Sequence, residues 1–216
     1  MGRGILIANR PRGQCLVAKL YFYYSTMNAG KSTALLQAAY NYAERGMSTR
    51  LFTARLDERA GGRISSRIGI DARAEHFDSR TDFWELLKNA KLNCVLIDEA
   101  QFLSVPQVRQ LARVVDEANT PVMCYGLRTD FQGELFPGSA ALLAWADTLS
   151  ELKTICFCGR KATMVVRVSP TGTVERAGQQ VEIGGNDRYV SLCRRHFCEA
   201  QGTGHCPGWK PVSGSE

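Results

Sequence analysis

Residues 25–32 read Ser-Thr-Met-Asn-Ala-Gly-Lys-Ser, and their types and spacing suit phosphate chemistry. A loop that cradles phosphates follows G-x-x-x-x-G-K-[ST], with backbone N–H groups and a helix N-terminus facing the anion. Gly30, Lys31 and Ser32 fill the second half, and Ser25 stands where the first glycine is usual. In this pattern Lys31 reaches the β- and γ-phosphates and the Ser32 hydroxyl ligates Mg²⁺.

A second constellation is Asn93–Phe102, NCVLIDEAQF, a short apolar run that ends in two carboxylates. Such a strand supplies the acidic partner of a phosphate loop. Asp98 at its end is placed to hold Mg²⁺ through water. Side chains alternate along a strand, so Glu99 diverges from Asp98 and is free to act as a general base. A third is Cys156-x-Cys158 followed, 35 residues after Cys158, by Cys193-x-x-His196. Two ligand pairs at strand ends fit a structural tetrahedral Zn²⁺ of Cys₃His type. The first pair is C-x-C where C-x-x-C is usual, and Cys198 is an alternative ligand.

The elements around these groups have recognisable signatures. Ala18–Tyr24 is apolar and aromatic and predicts a buried strand into the loop. After it, Leu35, Leu36, Ala39, Tyr42 and Ala43 recur at helical spacing, and Gly46 marks the stop. TRLFTA predicts a second strand. Residues 55–78, rich in Arg, Gly and Ser, predict a long loop, more often functional than decorative, whose arginines either approach phosphates or are simply solvated. Residues 80–91 predict a helix with Phe83, Leu86, Leu87 and Ala90 on one face. Ser104 predicts a helix cap, with Pro106 near the start and the end at Asn119. PVMCYGL is a further strand. A loop carrying Phe131 and Phe136 and a short helix over 139–147 follow it. Strands alternating with helices imply a parallel sheet with right-handed crossovers, and ligands bind beyond its carboxyl edge.

From Thr148 the texture turns to β-branched runs, with SPTG as a hairpin turn. The organisation expected is an extension at 1–17, a P-loop ATP-binding domain at 18–150, a zinc-binding domain at 151–200 and a flexible tail at 201–216. That tail takes His205 and Cys206 outside the fold. A domain so small lacks a core of its own, which makes a metal staple physically reasonable.

Composition narrows the class. With 44% hydrophobic and 22% charged residues, the chain has the balance of an ordinary globular protein. The net charge of +6 is scattered, which favours anionic small molecules over a nucleic-acid surface. No apolar run is long enough to span a membrane. GILIA is too short for the core of a secretory signal. The chain has eight cysteines, but Cys94 and Cys124 fall inside predicted strands, so a reducing cytoplasm is expected rather than a disulfide scaffold.

Together, YFYYSTMNAGKST, CVLIDEAQF, CYGLRTDFQGELF, LKTICFCGRKA and VEIGGNDRYVSLCRRH make residues 18–198 resemble the bacterial and cellular type II thymidine kinases. The resemblance implies an α/β fold: a RecA-like P-loop parallel sheet flanked by helices, with a small zinc-binding β-rich domain carrying a lasso loop. It implies transfer of the γ-phosphate of ATP to the 5′-hydroxyl of thymidine, with deoxyuridine a further acceptor, in nucleotide salvage for DNA synthesis. It also implies a homotetramer, feedback inhibition by thymidine triphosphate, and no nucleic-acid or membrane partner. By resemblance, Ser25, Thr26, Met27, Asn28, Ala29, Gly30, Lys31 and Ser32 hold the ATP phosphates. Asp98, Glu99, Ala100 and Gln101 continue that site, with Glu99 as the catalytic base. Phe131 stacks on thymine, enclosed by Met27, Phe102 and Leu127. Gln180, Val181, Glu182, Ile183 and Gly184 supply lasso backbone contacts, and Tyr189 touches the nucleoside. Cys156, Cys158, Cys193 and His196 bind zinc, while Ser32 and Asp98 serve magnesium. Arg63 lies in a segment resembling one near the phosphates, although Gly61 and Gly62 depart from the family's acidic version.

A different class of protein shares several of these marks: a P-loop ATPase with a zinc ribbon acting on nucleic acid. The chain is short for a motor and has no clustered basic stripe. Phe102, Phe131 and Tyr189 instead converge on an acceptor site. ADP formation that depends on added thymidine separates the two.

Overall fold

The computed structural model describes residues 17–55, 63–66, 68–180 and 188–209. A parallel sheet forms the larger part. Its strands in chain order are β1 (Leu20–Ser25), β2 (Thr49–Ala54), β5 (Glu75–Phe77), β6 (Cys94–Asp98), β7 (Val122–Leu127) and β8 (Thr148–Glu151). They lie in the order β5-β2-β6-β7-β1-β8, every neighbouring pair parallel. Helices α1 (Lys31–Glu44), α2 (Phe83–Leu87), α3 (Val105–Ala118) and α4 (Pro137–Trp145) make the crossovers.

Period-2 alternation explains how one strand serves two cores. All five residues of β6 are buried. Val95 and Ile97 join the core under α2, α3 and α4, beside Phe83, Leu111 and Leu142. Cys94 and Leu96 join the opposite core, with Leu35 and Leu36 of α1. Helix α3 begins as its sequence demands. The Ser104 hydroxyl accepts from the Gln107 N–H, the Gln107 side chain reciprocates at the Ser104 N–H, and Pro106 occupies the first turn.

The remaining elements form a smaller antiparallel unit. Strand β11 (Met164–Val168) lies between β12 (Val174–Glu175) and β13 (Tyr189–Leu192). A short hairpin pairs β9 (Thr154–Ile155) with β10 (Lys161–Ala162), and α5 spans Arg194–Thr203. Val166, Val168, Leu192, Phe197 and Ala200 are its apolar centre.

Three expectations change. Residues 55–78 are not one long loop. β3 (Arg63–Ser65) and β4 (Asp71–Arg73) form a hairpin that buries Ile64 against α1, and β5 adds an edge strand to the sheet. These strands have three residues each, too short to show alternation. The helix expected over 80–91 contracts to Phe83–Leu87, where the Asp82 carboxylate accepts from the Glu85 N–H and fixes the start. The expected tail is structured from 201 to 209. Helix α5 runs to Thr203, His205 bridges to Thr173, and Cys206 is buried. The small unit has too little apolar surface of its own, so Cys206 and Trp209 complete its core. Of the extension expected at 1–17, residues 1–16 lie outside the described residues, as does the end of the tail at 210–216.

Candidate active site

Adjacent parallel strands β6, β7 and β1 end together at Asp98, Leu127 and Ser25, with Ser25 in register with Leu127. The loop after β1 turns through Asn28 (φ 62°) and Gly30 (φ 79°) into α1. Gly30 takes the left-handed conformation that glycine adopts without steric cost. Ser25 has no positive φ among the described residues that do, so its position does not require glycine. Its hydroxyl oxygen instead accepts from Lys31 Nζ at 3.2 Å. Lys31 Nζ also donates to the Thr26 carbonyl at 2.8 Å. Burial holds the lysine below its ordinary pKa, against the opposing charges of Glu99 and Asp98.

Ser32 Oγ donates to Asp98 Oδ2 at 2.9 Å. Asp98 Oδ1 is buried with no hydrogen-bond partner. Burial, with the Glu99 charge next to it, pushes the Asp98 carboxyl up to about 7. An orphaned carboxylate oxygen beside a hydroxyl is a hard-oxygen donor set that suits Mg²⁺ bound through few protein ligands and several waters.

Strand β6 ends at Asp98, so Glu99 lies just past it and the alternation of the strand does not set its direction. Glu99 sits at φ 53°, ψ 38°, in the left-handed region, as the chain leaves β6 for the 3₁₀ turn Ala100–Phe102. For a residue with a Cβ this conformation costs on the order of 1–3 kcal/mol, and such strain clusters at functional sites. Gln101 Nε2 donates to Glu99 Oε2 at 2.5 Å. A cavity of about 330 Å³ is lined by Met27 to Thr33, Glu99, Leu127, and Ser65, Ser66 and Ile68 of the β3–β4 hairpin. The hairpin residues escaped sequence reasoning, because Ser-Ser in a basic stretch has no pattern of its own. Ser66 Oγ is buried without a partner. Arg63, by contrast, pairs with Asp71 and lines a different cavity with Arg50 and Arg73 at the sheet edge. It does not line the cavity of the phosphate loop.

Residues expected to meet a nucleoside are partly gathered. Met27 and Leu127 line the cavity beside Glu99. Phe102 meets Phe136 edge to face at 5.7 Å between ring centroids. Phe131 is 1% exposed, and the Arg167 guanidinium stands 3.9 Å from its ring centroid. A base reaches this ring only if its surroundings open. Burial works against the Arg167 charge, but its hydrogen bonds to the Tyr189 and Glu175 side chains outweigh it and raise the guanidinium above its ordinary value, so Tyr189 and Phe131 share one cationic neighbour. Gln180 Nε2 donates to Asp130 Oδ2 at 2.9 Å. Val181, Glu182, Ile183 and Gly184 lie outside the described residues.

The Cys₃His group is assembled. The ligand atoms of Cys156, Cys158, Cys193 and His196 all lie within 4.8 Å of one another. Cys156 Sγ is 3.3 Å from His196 Nδ1, Cys193 Sγ is 3.6 Å from the same nitrogen, and Cys158 Sγ is 4.0 Å from Cys193 Sγ. A tetrahedron with metal–sulfur bonds of about 2.3 Å has edges of about 3.7 Å, so the spacing fits Zn²⁺. Backbone N–H groups of His196 and Arg195, at the start of α5, pull the Cys193 thiol below its ordinary pKa. Cys198 is exposed and outside the group.

A family model described as "Thymidine kinase" matches residues 18–197. The chain is 65% identical over 191 residues to a thymidine kinase of Novosphingobium aromaticivorans, covering 86% of this chain and 100% of that one. It is 59% identical over 194 residues to a thymidine kinase of Mannheimia succiniciproducens, covering 88% and 100%. Among solved structures, Pif1 helicase from Candida albicans is similar over 64% of this chain and 36% of its own, at 15% identity and a TM-score of 0.40. A likeness that slight bears on neither fold nor function.

Proposed function

We propose that this chain, which belongs to the thymidine kinase family and so is an ATP-dependent phosphotransferase, uses Glu99 as the base that takes the proton of the thymidine 5′-hydroxyl. The observation that carries this role is the Glu99 carboxylate lining the same cavity as the phosphate loop, held there by Gln101 at 2.5 Å.

Phosphoryl transfer needs positioning and charge neutralisation more than covalent chemistry. The loop Ser25–Ser32 binds the ATP phosphates through its N–H groups, and Lys31 exchanges its bonds to Ser25 and Thr26 for phosphate oxygens. Ser32 and Asp98 hold Mg²⁺, which neutralises phosphate charge when bound. The thymidine O5′ attacks the γ-phosphorus as its proton passes to Glu99, and ADP leaves. Residues 18–150 carry this chemistry. The unit from 151 onward contributes Tyr189 and the Gln180–Gly184 lasso to the nucleoside. Cys156, Cys158, Cys193 and His196 hold a structural zinc that fixes the ends of the segment bearing the lasso.

The finer parts of this reading rest on the resemblance. A homotetramer, deoxyuridine as second acceptor, and inhibition by thymidine triphosphate belong to it. Thymidine triphosphate combines the base of one substrate with the polyphosphate of the other. A cytoplasmic location is supported by the seven described cysteines, all free. Among the described residues no helix is long and apolar enough to cross a membrane. The nucleic-acid ATPase alternative gives way to the family match. The test is labelled ATP incubated with thymidine, with single-stranded DNA, or alone. Thymidine 5′-phosphate and ADP form only with thymidine, and equal ADP in all three arms refutes the reading.

A further inference from the structure

We infer that Ser191 is a positioning residue of the phosphate loop, through which the metal-bearing unit fixes the geometry of the ATP site. This rests on the reading that Ser25–Ser32 binds the ATP phosphates. Ser191 lies on β13, paired with Val165 of β11 and two residues before Cys193. Its hydroxyl donates to the Met27 carbonyl at 2.7 Å and accepts from Thr26 Oγ1 at 3.0 Å. The partners are 164 and 165 residues away in sequence, so neither bond follows from local chain geometry.

Two consequences follow from the covalent structure. A trans peptide is planar, with its C=O and N–H pointing in opposite directions. Anchoring the Met27 carbonyl on Ser191 therefore turns the Asn28 N–H to the other side of the loop, where Asn28 lines the cavity. Thr26 is bonded from both sides: its hydroxyl donates to Ser191, while its carbonyl accepts from Lys31 Nζ. One serine thus restrains both the amide that faces phosphate and the residue that holds the lysine at rest. Strand β13 itself is held at its far end by Cys193, so the position of Ser191 depends on the Cys₃His group.

Steady-state kinetics and ATP calorimetry on the full chain test this. Ser191→Ala is expected to raise KM and Kd for ATP about tenfold, the worth of two partly buried hydrogen bonds. The KM for thymidine and the metal content should stay near those of the parent. Ser191→Thr keeps the hydroxyl and should restore ATP affinity. Thr26→Val removes the other end of the contact, so it and Ser191→Ala together should cost less than the sum of the two. Should Ser191→Ala fold poorly, Thr26→Val and Ser191→Thr carry the test. Unchanged ATP affinity in Ser191→Ala, or additive effects, overturns the inference. Lys31→Ala separates the failures. If it loses ATP while Ser191→Ala does not, only the serine's role is wrong. If it retains ATP, the reading of the loop itself is wrong.

Discussion

Gln101 joins the ends of two neighbouring strands through one side chain: its amide nitrogen donates to Glu99 Oε2 at 2.5 Å, and its oxygen accepts from the Leu127 N–H at 3.0 Å. The carboxylate proposed as base is therefore oriented by an amide whose other end is tied to backbone. An amide donor of this kind fixes where the Glu99 oxygens point, so little reorganisation is needed as the substrate reacts.

Replacing Glu99 by Gln keeps the volume and removes the basic oxygen. Turnover should fall by about 10²–10⁴ while ATP still binds. Gln101→Leu should give a smaller fall in kcat, because Glu99 remains but loses its orientation. Normal turnover in Glu99→Gln at saturating substrates, with weaker ATP binding, would falsify the assignment.

Gly126 explains why the Gln101 contact is so close. A Cβ there would sit 2.9 Å from both the Gln101 backbone nitrogen and Gln101 Oε1. The backbone atom has no rotamer to retreat to. Gly126→Ala should cost about 1–3 kcal/mol in urea unfolding, as overpacking does, and should lower kcat by displacing Gln101. A variant with parental stability and rate would show that the strand ends tolerate separation.

The sheet and its two motifs were legible because each rests on a long or paired signal. The apolar run of β6 and the helical spacing of Leu35, Leu36, Ala39, Tyr42 and Ala43 extend over enough residues to fix an element, and the Ser104 cap with Pro106 behind it marks a helix start. The Cys₃His group was legible for a different reason: ligand pairs are local even when the site is not. The β3–β4 hairpin was hidden by its brevity and by charge, although it brings Ser65 and Ser66 to the phosphate cavity. Ser191 was hidden because its meaning lies in partners 164 and 165 residues away. The positive φ of Glu99 had no signal at all, since nothing in its sequence neighbourhood asks for a left-handed residue.

The structured end of the small unit gives another test. The Trp209 side chain packs on the cluster of Val168, Val174 and Cys206, and its backbone N–H donates to the Cys206 carbonyl at 3.2 Å. Trp209→Ala should cost about 2 kcal/mol, below the range for a fully buried Trp because this one is half-buried. A change within about ±0.5 kcal/mol, the usual surface value, would restore the expectation of a dispensable tail.

Thiol reactivity tests whether the Cys₃His group holds metal. Cys158 and Cys198 are the exposed thiols among the described residues, while Cys94, Cys124, Cys156, Cys193 and Cys206 are buried. Burial pushes Cys94 up to about 11 and raises Cys124 as well, so both stay protonated and inert near neutral pH. Cys158 and Cys198 differ in one respect: Cys158 belongs to the four-ligand group and Cys198 does not. A thiolate bound to zinc is a poorer nucleophile and is sterically covered. Mass-spectrometric mapping after brief alkylation should therefore find Cys198 modified and Cys158 spared. A strong chelator should release about one zinc per chain and expose Cys158, then Cys156 and Cys193 as the unit loosens. ATP binding to the sheet domain should weaken in parallel with that loosening, because Ser191 is carried by the strand that Cys193 ends. Equal labelling of Cys158 and Cys198 before chelation, in protein that is active and stable, would mean that the four side chains meet without a metal.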